Sequence, residues 1–158
     1  MRRRTAEKRQ IAPDRKYGSI LISKMINKIM LAGKKSIAES IFYNALEKAS
    51  TKENATPIDF FNKIIENVGP KKKISLRRFG GNTYSVPREV KTEERPLRAI
   101  SILVQTMRET SFTQGKPATD VLEELLIQSY QNTGAAVNAR EKIHKTAEAN
   151  AAFAHFQW

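Results

Sequence analysis

The sequence contains no cysteine. That excludes disulfides, thiolate metal sites and cysteine nucleophiles. Histidine is scarce too. His144 and His155 lie eleven positions apart on what reads as one helix, which does not match the i, i+4 spacing by which a helix face holds a metal. No G-x-S-x-G, Walker or H-E-x-x-H pattern occurs, and Gly80-Gly81 lacks the glycine-rich loop that cradles a nucleotide phosphate. Glu123 and Glu124 are adjacent, so on a helix they point apart. The sequence therefore predicts neither an enzyme nor a cofactor or metal site. No apolar run approaches the roughly 18 residues that a membrane helix needs, so no membrane partner is expected. MRRRTAEKRQ has no apolar segment behind its charges and reads as a basic arm rather than a secretory signal.

Acidic residues are the other shortage. Sixteen Asp and Glu face 28 Lys and Arg, a formal net charge of +12. Such an excess predicts attraction to a polyanion, of which nucleic acid is the commonest. The charge lies in two blocks. Residues 1–35 hold 11 basic and 2 acidic groups, and residues 71–95 hold 8 and 3. Residues 36–70 hold 3 and 5, and residues 96–158 hold 6 of each. A solubility device would be spread evenly. Two blocks fit a binding surface assembled from two places in the chain.

With 158 residues the chain predicts one domain: a basic arm over 1–18, then a helical body over 19–158. The apolar positions of ILISKMINKIMLAGKK recur at helical spacing, with Gly33 as the expected stop. Lys24, Lys28 and Lys35 share the opposite face. Ser36 with Glu39 reads as a capping box opening a second helix, with Ile37, Ile41, Tyr43, Ala45 and Leu46 toward the core. Thr56, Pro57 and the pair Gly69-Pro70 punctuate a third, whose apolar stripe is Phe60, Phe61, Ile64, Ile65 and Val68. KKKISLRRFGGNTYSVPREV then alternates around Gly80-Gly81-Asn82, a β-hairpin over 71–90. A two-stranded ribbon is marginal alone, so it must pack on the helices or on a partner. Helices follow from about Glu93, from Pro117 to near Asn132, and over AAVNAREKIHKTAEANAAFAHF, where Glu141 and Lys145 are spaced to pair. The fold class is mainly α, about six helices with a protruding basic hairpin between the third and fourth.

Three stretches, GKKSIAESIFYNAL, RRFGGNTYSVPREV and AEANAAFAHFQW, closely resemble in order and spacing the bacterial-type family of small-subunit ribosomal protein seven. IAPDRKYGS resembles that family's start. The resemblance covers nearly the whole chain and implies the fold just described. It also implies a structural constituent of the small subunit. Such a protein binds the 3′ major domain of small-subunit rRNA, nucleates head assembly and lies near mRNA and the exit-site (E-site) tRNA. Other small-subunit proteins of head and platform are the implied neighbours, in a bacterial cytoplasm or plastid stroma. Carried over by position, Arg2, Arg3, Arg4, Lys8 and Arg9 match the basic tail that threads into rRNA. Lys34 and Lys35 match the loop after the first helix, and Lys71, Lys72, Lys73, Arg77 and Arg78 the hairpin's rRNA-facing base. Lys24, Lys28 and Arg95 join that rRNA set. Gly80, Gly81 and Asn82 match the tip near mRNA and E-site tRNA, joined by Tyr84, Arg140 and Lys145. Phe153, His155, Phe156 and Trp158 match the aromatic C-terminal segment, where contact with a partner protein is expected. The family's basic, tryptophan-containing fourth helix reads RAISILVQTMRET here, so the rRNA contact implied there lacks its usual charges. A DNA-architectural protein with a basic β-arm is the alternative from another class. Such an arm wants an apolar wedge at its tip, where this one carries Gly80-Gly81-Asn82.

Overall fold

The structure, a computed structural model, describes residues 10–156. Its element order is α1 (Ile20–Ile29), α2 (Lys35–Lys52), α3 (Pro57–Val68), β1 (Lys72–Phe79), β2 (Asn82–Glu89), α4 (Arg95–Gln114), α5 (Ala118–Tyr130), α6 (Gly134–Ala149) and a 3₁₀ helix over Ala151–Phe156. The mainly α architecture with one antiparallel hairpin between the third and fourth helices is the one expected.

Helix α3 forms for the reasons its sequence announces. The Thr56 hydroxyl accepts from the Asp59 amide at 3.3 Å, and Pro57 occupies the first turn. All five stripe residues are buried. Helix α5 packs against α2, α3, α4 and α6, and Leu122 and Leu126 on its inner face are fully buried. Phe42 and Phe61 meet edge to face, centroids 5.5 Å apart. Each such buried side chain contributes about 1.5–3 kcal/mol by leaving water.

Several local expectations are corrected. Helix α1 ends at Ile29, short of Gly33, because Met30 leaves the helical conformation with φ -53° and ψ 134°; Ala32 and Gly33 then take φ values of 50° and 75°. That left-handed pair turns the chain so that α2 begins at Lys35. Ser36 therefore lies inside the helix, Lys34 sits at the cap without a side-chain cap bond, and the capping box does not form. The buried apolar positions of α2 are Ala38, Phe42, Ala45, Leu46 and Ala49. Ile37 lies one residue, about 100°, off that stripe and is exposed. Segment 14–18, read as the end of the arm, is a turn docked on α2. Buried Asp14 accepts from the Tyr43 hydroxyl at 2.6 Å and from the amides of Lys16 and Tyr17 at 3.1 Å each. At the C-terminus the helix breaks at Asn150, whose side chain and amide both donate to the Thr146 carbonyl. His144 and His155 thus occupy different elements. Glu141 pairs not with Lys145 but with Arg140, at 3.6 Å.

Candidate RNA interface on the hairpin and its base

The hairpin pairs Lys72 with Glu89, Ile74 with Pro87, Arg77 with Tyr84, and Phe79 with Asn82. Its turn is the two residues Gly80 and Gly81, with φ of 57° and 86°. Two positive φ values define a turn whose twist matches the strands. Asn82 thus opens β2 rather than completing the turn. Pro87 pairs within a two-stranded ribbon, where both strands are edges and its missing N–H is tolerated. Cross-strand partners share a face, so Arg77 lies with Tyr84, and Arg78 with Thr83 on the other face.

The ribbon is anchored at both ends. At its base the Lys71 carbonyl accepts from the Val90 amide at 2.9 Å, and the Lys71 amide donates to His144 Nε2 at 3.0 Å. That bond requires a neutral imidazole. Burial, then the charge of Arg140 and of the nearby lysines, lowers the His144 pKa below its ordinary value, while Glu148 acts in the opposite sense. Toward the tip, Tyr84 packs on Phe153 and Phe156 of the 3₁₀ helix, with centroids 5.4 and 5.2 Å apart. Phe79 lies 5.5 Å from Phe156.

The predicted cations divide into those committed within the chain and those that are not. The Lys73 ammonium donates to Glu94 at 2.6 Å, and this bond holds the Glu94 carboxyl below its usual range. Arg95 caps α3, with Nε on the Gly69 carbonyl at 3.0 Å and Nη2 on that of Glu66 at 2.9 Å. Arg140 reaches from α6 to the Asn67 carbonyl and, at 3.2 Å, to Asn132. Lys35 lies 3.7 Å from Glu39. In contrast Lys28, Lys34, Lys71, Lys72, Arg77, Arg78 and Lys145 are exposed and form no ion pair among the described residues. Lys24 is half-buried on α1. Within the 3₁₀ helix, His155 Nδ1 lies 2.8 Å from the Ala152 carbonyl oxygen. Arg2, Arg3, Arg4, Lys8, Arg9 and Trp158 lie outside the described residues.

Arg98 was missed by sequence reasoning. It lines a cleft of about 340 Å³ with Lys72, Lys73 and Gln105, between the hairpin base and α4. Its signal was available, one helical turn from Arg95. The role of His144 had no local signal, because its partner is 73 residues away. Arg108 ties α4 to α1 by donating to the Lys28 carbonyl at 3.0 Å.

A helical body presenting uncommitted cations on a ribbon suits a protein that grips a polyanion. The family model described as Ribosomal protein S7p/S5e matches residues 1–151. A protein named small ribosomal subunit protein uS7 from Fervidobacterium nodosum is 48% identical over 158 residues, covering all of both chains. Proteins of the same name from Petrotoga mobilis and Geotalea uraniireducens are each 46% identical, over 100% and 99% of both chains. These similarities place the molecule in the class of small-subunit ribosomal proteins, the protein components of a ribonucleoprotein. The chain belongs to the ribosomal protein S7p/S5e family. That membership sets aside the DNA-architectural alternative, and the family is one of structural proteins rather than enzymes.

Proposed function

We propose that the chain binds the 3′ major domain of small-subunit rRNA and nucleates assembly of the head. The two-glycine tip lies toward mRNA and E-site tRNA, and other small-subunit proteins of head and platform are its neighbours. The ribosomes it serves are in a bacterial cytoplasm or a plastid stroma. The observation that carries this reading is the set Lys71, Lys72, Arg77 and Arg78. These cations are exposed on one anchored ribbon without a carboxylate partner among the described residues, while Lys73, Arg95 and Arg140 are tied inward. Folded RNA is recognised largely by shape and backbone, which calls for placed cations rather than a base-reading motif.

The test is a salt-dependent titration of the full chain against 3′-domain rRNA and against duplex DNA of matched length. Tight, rRNA-selective binding with a slope reporting about 6–10 phosphates is expected. Equal affinity for the two, or a preference for DNA, overturns the reading.

A further inference from the structure

Near the tip, Arg77, Arg78, Phe79, Tyr84 and Phe156 line a cleft of about 290 Å³. Its chemistry differs from that of the hairpin base, where lysines dominate. Here the rings of Phe156 and Tyr84 stand on the ribbon face that carries Arg77. Phe79 is 49% exposed despite its ring contact. Neither arginine forms an ion pair with a carboxylate among the described residues. The volume lies at the small end of ligand pockets, about 300 Å³, which suits one planar group rather than an extended ligand.

We infer that this cleft seats one unpaired nucleotide of RNA, its base stacked on the aromatic wall and its phosphate held by Arg77, which shares the Tyr84 face of the ribbon. The inference rests on the proposed RNA-binding function and specifies a second contact mode within it. Aromatic faces accept any base, because every base has a π-face. Guanidinium groups supply the bidentate geometry that phosphate oxygens take. An acidic peptide would satisfy the arginine yet leave the apolar wall without a planar partner. A duplex would keep its bases out of reach. The 3₁₀ helix builds the site, since it brings Phe156 against Tyr84 from a part of the chain remote from the hairpin.

The test uses the full chain and a single-stranded RNA hexamer carrying one 2-aminopurine, whose fluorescence is quenched by stacking. A matched hexamer lacking that base is the control. Wild type is expected to quench the probe and to bind the base-less hexamer more weakly, by roughly five- to a hundredfold, the range a stacking ring supplies. Phe156→Leu removes the ring and should abolish both differences. Arg77→Gln keeps the rings, so quenching at saturation persists while the salt slope falls by about 0.7. Thermal unfolding of both variants checks that they remain folded. Equal binding of the two hexamers by wild type overturns the inference, as does unaltered quenching in a folded Phe156→Leu. Binding of 3′-domain rRNA is measured in parallel. If it persists without hexamer quenching, the cleft is refuted and the proposed function stands. If it too is lost, both are refuted.

Discussion

Replacing Lys71 and Lys72 together with glutamine is expected to flatten the salt dependence of rRNA binding, whereas replacing Lys73 alone is not. The three lysines are consecutive, and by sequence they are equivalent. In the structure Lys71 and Lys72 are exposed, while the Lys73 ammonium is held 2.6 Å from Glu94. Each phosphate neutralised contributes about 0.7–0.9 to the slope of log affinity against log salt, so the double substitution should reduce that slope by about 1.4–1.8. Between 50 and 200 mM salt the variant then loses about tenfold less affinity than wild type does. The Lys73→Gln chain should keep the wild-type slope and show instead a lower thermal midpoint, because Glu94 loses its partner. Fluorescence anisotropy with a labelled 3′-domain fragment, at five or so salt concentrations, reads all three. If Lys73→Gln flattens the slope as much as one of the other two, the ion pair does not hold Lys73 inward and the division of the cations is wrong. If the double variant keeps the wild-type slope, the hairpin base is not in contact with phosphate.

Other perturbations address the frame. Phe42→Ala empties a fully buried site against Phe61 and should cost about 3–5 kcal/mol, read as a lower urea midpoint. Gly81→Ala places a side chain at φ +86° with nothing within 4 Å. Its cost is conformational, about 1–2 kcal/mol, and should appear as faster amide exchange confined to the ribbon. Acidification should loosen the hairpin base. His144 has its pKa lowered from 6.5 by folding, so the unfolded state takes the proton first. The stabilisation from this group is complete above the unfolded value and is lost as pH falls from there through the folded one. The protection of the Lys71 amide against exchange, relative to its intrinsic rate at each pH between about 7.5 and 5, measures it, and His144→Gln should remove most of the pH dependence of that protection.

What the sequence made legible follows how local each cause is. Helix α3 was readable end to end because its cap, its first-turn proline, its stripe and its terminator are neighbours in the chain. The start of α2 was not. Ser36 and Glu39 carry a capping signature, but the left-handed turn at Ala32 and Gly33 decides where the helix begins, and a non-glycine residue in that conformation leaves little trace. The hairpin was readable from alternation and two glycines. The two charge blocks were equally plain. Which charges are spent internally was not, since Lys73, Arg95 and Arg140 find partners 21 to 73 residues away. The aromatic C-terminus showed itself as a feature, and its ring partner Tyr84 did not.

Arg95 has a consequence for how this fold can change. Its guanidinium closes on the carbonyls of Glu66 and Gly69, so the end of α3 and the start of α4 are clasped directly to each other. Everything between is an excursion whose two ends are already pinned together. The entropy of closing such a loop grows only slowly with its length. The ribbon could therefore be shortened, extended or exchanged while the helices keep their paths, and the clasp marks the point at which a different arm could be grafted onto the same body.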